Sequence, residues 1–313
     1  MKIIDLKTNE EYILRENDRV SCAIGNFDGV HLGHRELLTL AASKRNGMTK
    51  SAVWTFEEPS SHTMDGVSLL TKPSERYALF RELGIDLLFL ADFGEVRSVE
   101  PECFVREILY QQCGVRHAIC GFNFRYGKMA SGNAETLRAS FSELGCGVTI
   151  VPAFRLNGVV VSSSQIREAL ANGDVERAAE MLSRPYSLTA PIVHGKQLGR
   201  KLGFPTANQA FSKERAVPKF GVYAVRIRLD GAVYEGVANV GVRPTVEDTL
   251  CANCETYLFD FKGDLYEKTA TTEFCKFIRP ECRFPDLETL KNTVYQDIQT
   301  AKQYFKAERE HQI

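Results

Sequence analysis

The chain has 313 residues, of which 44% are hydrophobic, 25% charged and 10% aromatic; this composition excludes a disordered or collagen-like chain, and the length favours two domains. Thirty-nine Lys and Arg against 40 Asp and Glu give a formal net charge of −1, which argues against a nucleic-acid-binding protein with a strong overall positive field. Because neither a membrane-length apolar run nor a signal-peptide core is present, we expect a cytoplasmic protein without membrane partners.

The first half of the chain alternates short apolar runs with amphipathic stretches. Runs typical of strands lie at 19–24, 51–56, 86–91, 117–121, 148–153 and 159–161. Patterns typical of helices follow the first strand, around Leu37 to Ala41, and recur at 74–83, 101–112 and 134–144. This alternation predicts an α/β domain with a doubly wound, mostly parallel sheet, which binds ligands at the carboxyl ends of its strands.

The pattern changes near Arg184-Pro185, after a polar helix predicted over 164–182. Strand-like runs then occupy 221–229, 233–239, 255–261 and 269–277, and Asp230-Gly231 and Lys262-Gly263 predict hairpin turns. An amphipathic helix is predicted over 286–306. We therefore predict two domains, residues 1–184 and 185–313, of which the second is an antiparallel β-barrel with a terminal helix.

Nine cysteines are scattered through segments that otherwise resemble buried strands and helices. Their odd number and their placement favour reduced thiols over a disulfide framework. A four-thiolate zinc site made of Cys251, Cys254, Cys275 and Cys282 is an alternative, which the seven-residue step between the last two disfavours.

A glycine-rich string, GNFDGVHLGH, joins the first predicted strand to the first helix at Gly25 to His34. Its glycines allow close backbone approach, and the helix N-terminus presents free N–H groups to an anion. Two histidines three residues apart, His31 and His34, can face one phosphate chain. Taken in isolation, they could equally be a turn residue and a helix cap.

The string resembles the nucleotide-binding signature of nucleotidylyltransferases, and in full that of the bacterial bifunctional riboflavin kinase/FAD synthetases. GFNFRYG, from Gly121 to Gly127, is similar to that family's GxNFxFG, and SSQIR, from Ser163 to Arg167, to its SSTxIR. The resemblance implies that the two histidines and Arg167 act on the ATP phosphates while the phosphate of FMN attacks the α-phosphorus. It also implies nucleotide contacts from the remaining matched residues: Gly25, Asn26, Phe27, Asp28, Gly29, Asn123, Ser163 and Ser164.

One segment departs from the family pattern. After the second predicted strand the family carries TFDPHP, whereas Thr55 to Ser60 here read TFEEPS, with no histidine before His62. Carboxylates near a polyanionic nucleotide would be unfavourable unless Mg²⁺ or a cation such as Arg125 offsets them. We therefore expect FAD synthesis to be slower than FMN synthesis and unusually dependent on Mg²⁺.

A second glycine-rich string, from Gly195 to Asn208, ends in Pro-Thr-Ala-Asn. Such a loop can close on phosphates, and its Thr206 hydroxyl and Asn208 carbonyl are hard oxygen ligands for Mg²⁺; glycine spacing alone would also suit a flexible surface loop. GRxLGFPTAN resembles the riboflavin kinase module, and the likeness continues through 220–223, 239–245, 255–266 and 278–284.

The second resemblance implies that Glu255 is the catalytic base and that Thr206 and Asn208 hold Mg²⁺. A carboxylate suits the reaction, because the 5′-hydroxyl of riboflavin is neutral and must lose its proton. Without the flanking motif, Glu255 would be taken for a solvated strand residue. The same resemblance implies nucleotide or flavin contacts from Gly195, Gly199, Arg200, Gly203, Pro205, Tyr223, Arg279 and Phe284.

We therefore predict an enzyme that acts on small molecules. With ATP and Mg²⁺ it phosphorylates riboflavin to FMN and adenylylates FMN to FAD. One alternative is a riboflavin kinase whose first domain has a weakened or lost adenylyltransferase activity. A flavin-binding or flavin-sensing protein without turnover would have lost Thr206, Asn208 and Glu255, which are all present. A cytidylyltransferase-like enzyme would fit the first half alone.

Overall fold

The structure is a computed structural model that describes residues 1–7, 19–58, 66–194, 204–244, 250–263 and 265–311. The chain divides into two compact units, Met1–Ser163 and Ser164–Ile313. Among the described helices, none is both long enough and apolar enough to span a bilayer.

The first unit is built on a six-stranded parallel sheet in the order β1-β4-β3-β2-β5-β8. Its strands are β1 (Lys2–Asp5), β2 (Arg19–Ile24), β3 (Thr49–Phe56), β4 (Leu87–Ala91), β5 (Val115–Gly121) and β8 (Gly147–Val151). Consecutive residues of the central strands are buried, because helices cover both faces of the sheet. The predicted doubly wound parallel sheet is thus confirmed.

The covering helices are α1 (Leu32–Ser43), α2 (Pro73–Glu82), α3 (Ala134–Glu143), a π-helix (Phe104–Gln112) and two short turns (Phe93–Val96 and Pro101–Cys103). Alternate strand residues divide between two cores. Val53 faces the core that contains Phe80, whereas Trp54 faces the core that contains Phe104 and Phe141.

Two short hairpins lie outside the main sheet. One pairs β6 (Arg125–Tyr126) with β7 (Gly132–Asn133), and the other pairs β9 (Arg155–Leu156) with β10 (Val159–Val160). The strand predicted at 159–161 belongs to this second hairpin, because Asn157 and Gly158, with φ of 50° and 82°, form a tight two-residue turn. The sequence patterns did not predict edge strand β1.

In the second unit, the single helix predicted over 164–182 is two helices, α4 (Ser163–Asn172) and α5 (Val175–Leu182). Gly173 takes a left-handed φ of 83°, which ends α4, and the Asp174 side chain then accepts a hydrogen bond from the Arg177 N–H and caps α5.

An antiparallel sheet follows, in the order β11-β16-β13-β14-β15-β12. Its strands are β11 (Tyr186–Pro191), β12 (Thr206–Ala210), β13 (Gly221–Leu229), β14 (Ala232–Pro244), β15 (Leu250–Leu258) and β16 (Thr269–Pro280). A bridge between Val193 and Asn208 joins the two ends of this order, which gives the predicted barrel.

Of the two predicted hairpin turns, only Asp230-Gly231 is one, with φ of 50° and 80° between the paired strands β13 and β14. Lys262-Gly263 leads from β15 to β16, which do not pair with each other, so that hairpin prediction was wrong. The predicted terminal helix is present as α6 (Leu287–His311), which packs Ala301 and Phe305 against the barrel.

Candidate active sites

The first candidate site lies where the strand order of the parallel sheet reverses. Strands β3 and β4 extend the sheet to one side of β2, whereas β5 and β8 extend it to the other. Gly25 follows the end of β2, and Asn123 lies in the exposed turn after β5. Ligands of open α/β sheets bind in the crevice at such a switch point.

The loop from Gly25 to His31 has an unusual backbone. Phe27 and Val30 take left-handed φ values of 52° and 43°, which are costly for residues with bulky side chains. Both side chains are fully buried, and the Phe27 ring packs edge-to-face on His34 and Phe80. Core packing therefore holds the backbone of this loop in one conformation.

Asp28 acts inside the protein. Its carboxylate is 2% exposed and accepts hydrogen bonds from the backbone N–H groups of Leu70 and Thr71 at 3.0 to 3.1 Å and from the Thr71 hydroxyl at 3.3 Å. Thr71 Oγ1 also accepts from the Gly29 N–H at 3.0 Å. The Asp28 carboxylate therefore anchors the loop, and a nucleotide contact of Asp28 stays a prediction.

His31 and His34 form a stacked pair at the start of α1. His31 is the N-cap, and its Nδ1 accepts a hydrogen bond from the His34 backbone N–H at 3.3 Å. The two ring centroids lie 3.6 Å apart, with the planes 17° from parallel. Burial, together with the neighbouring His31 and Arg76, lowers the pKa of His34 well below its usual value, so this imidazole is neutral at pH 7.

Arg76 of α2 is a site-forming residue that the sequence did not reveal. It is 1% exposed and donates to the carbonyl oxygens of Asn26 at 2.8 Å and Phe56 at 2.7 Å, and also to that of Glu57. It therefore links the glycine-rich loop to the end of β3. An arginine within a polar helical pattern usually indicates a solvated face, so the sequence carried no signal for this role.

The segment that departs from the family pattern is described up to Glu58. Thr55 is buried and donates to the Asn26 carbonyl at 3.3 Å, whereas the side chains of Glu57 and Glu58 are exposed. Pro59, Ser60 and His62 lie outside the described residues.

The SSQIR string begins helix α4. Ser163, the last residue of the first unit, donates its Oγ to the Asp28 carbonyl at 2.9 Å. On the following turn, Ser164 is exposed and Arg167 is half-buried.

The second candidate site is a cavity of about 310 Å³ between the barrel and helix α6, a volume typical of small-molecule sites. Its walls include four predicted residues: Thr206, Glu255, Arg279 and Phe284. Six further lining residues show its mixed character: Phe204, Val222, Tyr257, Leu290, Lys291 and Val294.

Glu255, Asn208 and Asn253 lie together on two neighbouring strands. Asn208 of β12 pairs directly with Glu255 of β15. Asn253 Nδ2 donates to Asn208 Oδ1 at 3.1 Å and lies 3.5 Å from Glu255 Oε1. Thr206 stands two residues before Asn208, and strand alternation directs both to one face. Hard oxygen donors thus lie beside a carboxylate.

Arg279 is held at the cavity wall by helix α6. Its Nε and Nη2 donate to the two Asp297 carboxylate oxygens at 2.9 and 2.7 Å, and its guanidinium lies 5.6 Å from the Phe284 ring centroid. Burial opposes the charge of Arg279, but the Asp297 hydrogen bonds and charge raise its pKa overall. Asn239 Nδ2 donates to Glu281 Oε1 at 3.1 Å on the same wall.

Several predicted contacts of this site fall elsewhere. Tyr223 is fully buried, does not line the cavity, and donates its hydroxyl to the Lys219 carbonyl. Its neighbour Val222 faces the cavity instead, and the nucleotide or flavin contact of Tyr223 stays a prediction. Pro205 is exposed at the start of β12. Four residues lie outside the described part of the chain: Gly195, Gly199, Arg200 and Gly203.

The cysteines lend no support to the zinc alternative. Burial raises the pKa of both Cys254 and Cys275 to about 12, which disfavours the thiolate that zinc requires. The side chain of Cys251 is not among the described ones. The described residues contain no group of three or more His, Cys, Asp or Glu side chains that could hold a metal ion.

Comparisons with known proteins cover nearly the whole chain. The sequence matches the family model for FAD synthetase over residues 13–165 and the one for riboflavin kinase over residues 182–305. A bifunctional riboflavin kinase/FMN adenylyltransferase from Bacillus subtilis is 35% identical, with coverage of 97% of this chain and 98% of its own. The protein of the same name from Haemophilus influenzae is also 35% identical, over 90% of this chain and 93% of its own.

A solved structure shares the fold. A crystal structure named as a macrolide-efflux protein from Streptococcus pneumoniae superimposes with a TM-score of 0.84 at 28% identity, over 94% of this chain and 97% of that one. The two family matches follow one another along the chain as the two candidate sites do.

Proposed function

Because the chain belongs to the family of bifunctional riboflavin kinase/FMN adenylyltransferases, we propose that it converts riboflavin and ATP to FMN and ADP, and FMN and ATP to FAD and pyrophosphate. The observation that carries this proposal is the presence of two separate sites with different chemistry. One is a loop and helix N-terminus suited to phosphates. The other is a cavity with a carboxylate on its wall.

The first site suits adenylyl transfer. The phosphate of FMN, with a second pKa of roughly 6, is already an anionic nucleophile at neutral pH, so this step needs no general base. The N-terminus of α1 offers N–H groups and a partial positive charge to the ATP phosphates. His31 and His34, held by the cap and by stacking, supply further N–H donors without the repulsion of two imidazolium ions.

Other residues of the first site are proposed for two tasks. Asp28 and Arg76 position the glycine-rich loop, as their hydrogen bonds to its flanking backbone indicate. Asn123, Ser163, Ser164 and Arg167 are proposed as nucleotide contacts on the strength of the resemblance alone.

The second site suits phosphorylation of a neutral hydroxyl. Glu255 is proposed to accept the proton of the riboflavin 5′-hydroxyl as its oxygen attacks the γ-phosphorus of ATP, with ADP leaving. The apolar walls of the cavity fit the flavin ring, and Arg279, fixed by Asp297, forms one edge of the flavin site with Phe284.

Mg²⁺ is proposed for both steps, and the kinase site contains suitable donors. The Thr206 hydroxyl and the Asn208 Oδ1 are the hard oxygens that Mg²⁺ prefers, and Asn208 Oδ1 keeps a lone pair beyond the one engaged by Asn253. When bound there, Mg²⁺ would neutralise charge on the transferred phosphoryl group.

A division into residues 1–184 and 185–313 is proposed for the two activities. The FAD synthetase match ends at residue 165 and the riboflavin kinase match begins at residue 182, close to this boundary, whereas the compact units divide between Ser163 and Ser164. A cytoplasmic location is proposed as well, since both reactions consume ATP.

The decisive experiment is chromatography of flavins after incubation of the full chain with riboflavin, ATP and Mg²⁺. FMN should accumulate first and FAD should follow. Formation of FMN alone, with no FAD even from supplied FMN, would favour the kinase with a lost adenylyltransferase. The absence of both products, with binding of riboflavin retained, would favour the flavin-binding protein without turnover.

A further inference from the structure

Asn253 is a buried amide at the kinase site, with 7% of its surface exposed. It precedes Glu255 by two residues on β15, so both side chains point to the same face of the sheet. The pairing of β15 with β12 sets Asn208 directly opposite Glu255 and Ala210 opposite Asn253. Asn253 is thus the diagonal neighbour of the residue proposed to bind Mg²⁺.

The hydrogen bonds around Asn253 determine the orientation of two amides. Asn253 Nδ2 donates to Asn208 Oδ1 at 3.1 Å, while Asn208 Nδ2 donates to the Thr206 carbonyl at 3.4 Å. If the Asn208 amide were turned over, its oxygen would face the Thr206 carbonyl oxygen. If Asn253 were turned over, its oxygen would face Glu255 Oε1, which is 3.5 Å from the present Nδ2. Repulsion between facing acceptor oxygens, at Thr206 for the one amide and at Glu255 for the other, therefore selects the observed orientation of both amides.

We infer that Asn253 is a positioning residue of the kinase site: it holds Asn208 with its amide oxygen as the available acceptor and keeps an N–H group towards Glu255. This inference rests on the proposed kinase function and adds to it a residue that touches neither substrate nor metal. Outer-shell hydrogen bonds of this kind typically change metal affinity by roughly 10- to 100-fold when they are removed.

Without the amide of Asn253, Asn208 loses the shorter of the two hydrogen bonds that fix its orientation. The Asn208 amide can then rotate and present Nδ2, which cannot bind a cation, for part of the time. The affinity of the site for a divalent cation should fall, whereas the cavity wall formed by Arg279 and Phe284 does not depend on Asn253.

The test replaces Asn253 by Leu, which has a similar size and no donors, and by Ala, which leaves room for water. Thr256→Val is the matched control. It is also a buried residue of β15 but lies on the opposite face, where its hydroxyl is 3.5 Å from the Cys254 thiol. All variants are made in the full chain, so that FAD formation from supplied FMN reports on an unaltered first unit.

Two measurements are combined. The dissociation constant of Mn²⁺, as a substitute for Mg²⁺, is measured by electron paramagnetic resonance with ADP and riboflavin present. The Mg²⁺ dependence of FMN formation and the KM for riboflavin are measured in parallel. We expect both Asn253 variants to weaken Mn²⁺ binding by about 10-fold or more and to raise the half-saturating Mg²⁺ concentration equally. The KM for riboflavin and the rate of FAD formation should be unchanged.

Unchanged Mn²⁺ affinity in both Asn253 variants would overturn the inference, as would an equal loss in Thr256→Val, which would indicate a general disturbance of the strand. A wild-type chain that forms no FMN would instead refute the proposed kinase function. The two failures are therefore distinguishable.

Discussion

The Ser163 hydroxyl donates a hydrogen bond to the carbonyl oxygen of Asp28 over 2.9 Å, although 135 residues separate the two in sequence. This hydrogen bond lies within the first unit, of which Ser163 is the last residue. The Asp28 side chain is bound on its other side by Leu70 and Thr71. The loop that is proposed to face ATP is thus held through both the side chain and the backbone carbonyl of Asp28.

Ser163→Ala should lower FAD synthesis because it frees the backbone at Asp28. One hydrogen bond contributes about 1 kcal/mol, which corresponds to roughly a five-fold loss in kcat/KM for adenylylation if the loop must be held. The measurement is the rate of FAD formation from FMN. FMN formation from riboflavin is the internal control and should not change, and a loss of both activities would point to misfolding instead.

The partly buried His34 should make the first unit less stable in mild acid. Its folded pKa lies well below the unfolded value of about 6.5, so below pH 6.5 the unfolded chain takes up a proton that the folded chain does not. The free energy of unfolding therefore falls as the pH decreases from 6.5 towards the folded pKa, with a slope approaching about 1.4 kcal/mol per pH unit. His34→Gln should remove this contribution.

Urea denaturation followed by tryptophan fluorescence measures this effect directly. Trp54 is the only tryptophan of the chain and lies in the core of the first unit, so its emission reports on that unit. His117→Gln is a matched control, because burial and Lys44 also lower the pKa of the half-buried His117, but less strongly. A pH slope that persists undiminished in His34→Gln would contradict the assignment.

Glu255→Gln should separate the two activities. Only the kinase step must deprotonate a hydroxyl, so FMN formation should fall by roughly 10²- to 10⁴-fold, whereas conversion of supplied FMN to FAD should continue. The two rates are measured with the same protein preparation. If the variant retains near-normal kinase activity, Glu255 is not the base.

The sequence predicted the main architecture because periodicity reports burial, and burial on both faces of β2 and β3 leaves continuous apolar runs. It failed where a single backbone position decides the outcome. Gly173 divides one helical pattern into α4 and α5, and Lys262-Gly263 resembles a hairpin although its flanking strands have other partners. Such differences depend on tertiary pairing, which local patterns do not encode.

The candidate sites show the same limit. The motifs predicted which segments form the candidate sites, but not the direction of each side chain. Asp28 points into the protein, and Tyr223 into the barrel core. Arg76 and Asn253 were missed because a helical arginine and a strand asparagine have no spacing signal. Their roles arise only when distant segments meet.

Gly241→Ala should weaken riboflavin phosphorylation through Glu281. A methyl group at Gly241 would overlap the Glu281 carboxylate, which accepts a hydrogen bond from Asn239 on the cavity wall. The end of the Glu281 side chain must then move, and we expect a several-fold rise in the KM for riboflavin. Gly47→Ala is the control, since nothing lies within 4 Å of a Cβ at that position. An unaltered KM would show that the position of Glu281 is unimportant for the flavin.

Two fragments should locate the start of the kinase domain. Helices α4 and α5 pack on the barrel of the second unit. The Leu170 carbonyl accepts from the Lys219 N–H at 2.8 Å, and Lys276 forms an ion pair with Glu176 at 2.7 Å. The fragment 164–313 keeps these contacts, whereas the fragment 185–313 loses them together with the buried side chains of α5. Each fully buried apolar side chain contributes roughly 1.5 to 3 kcal/mol, so the shorter fragment should melt at a lower temperature.

Both fragments should form FMN from riboflavin at low temperature, because the cavity and its lining residues from Phe204 to Asp297 lie within each of them. Circular dichroism melting curves and FMN formation are the measurements. If the longer fragment is folded but inactive, the kinase site requires residues of the first unit. If the two fragments melt alike, α4 and α5 do not stabilise the barrel.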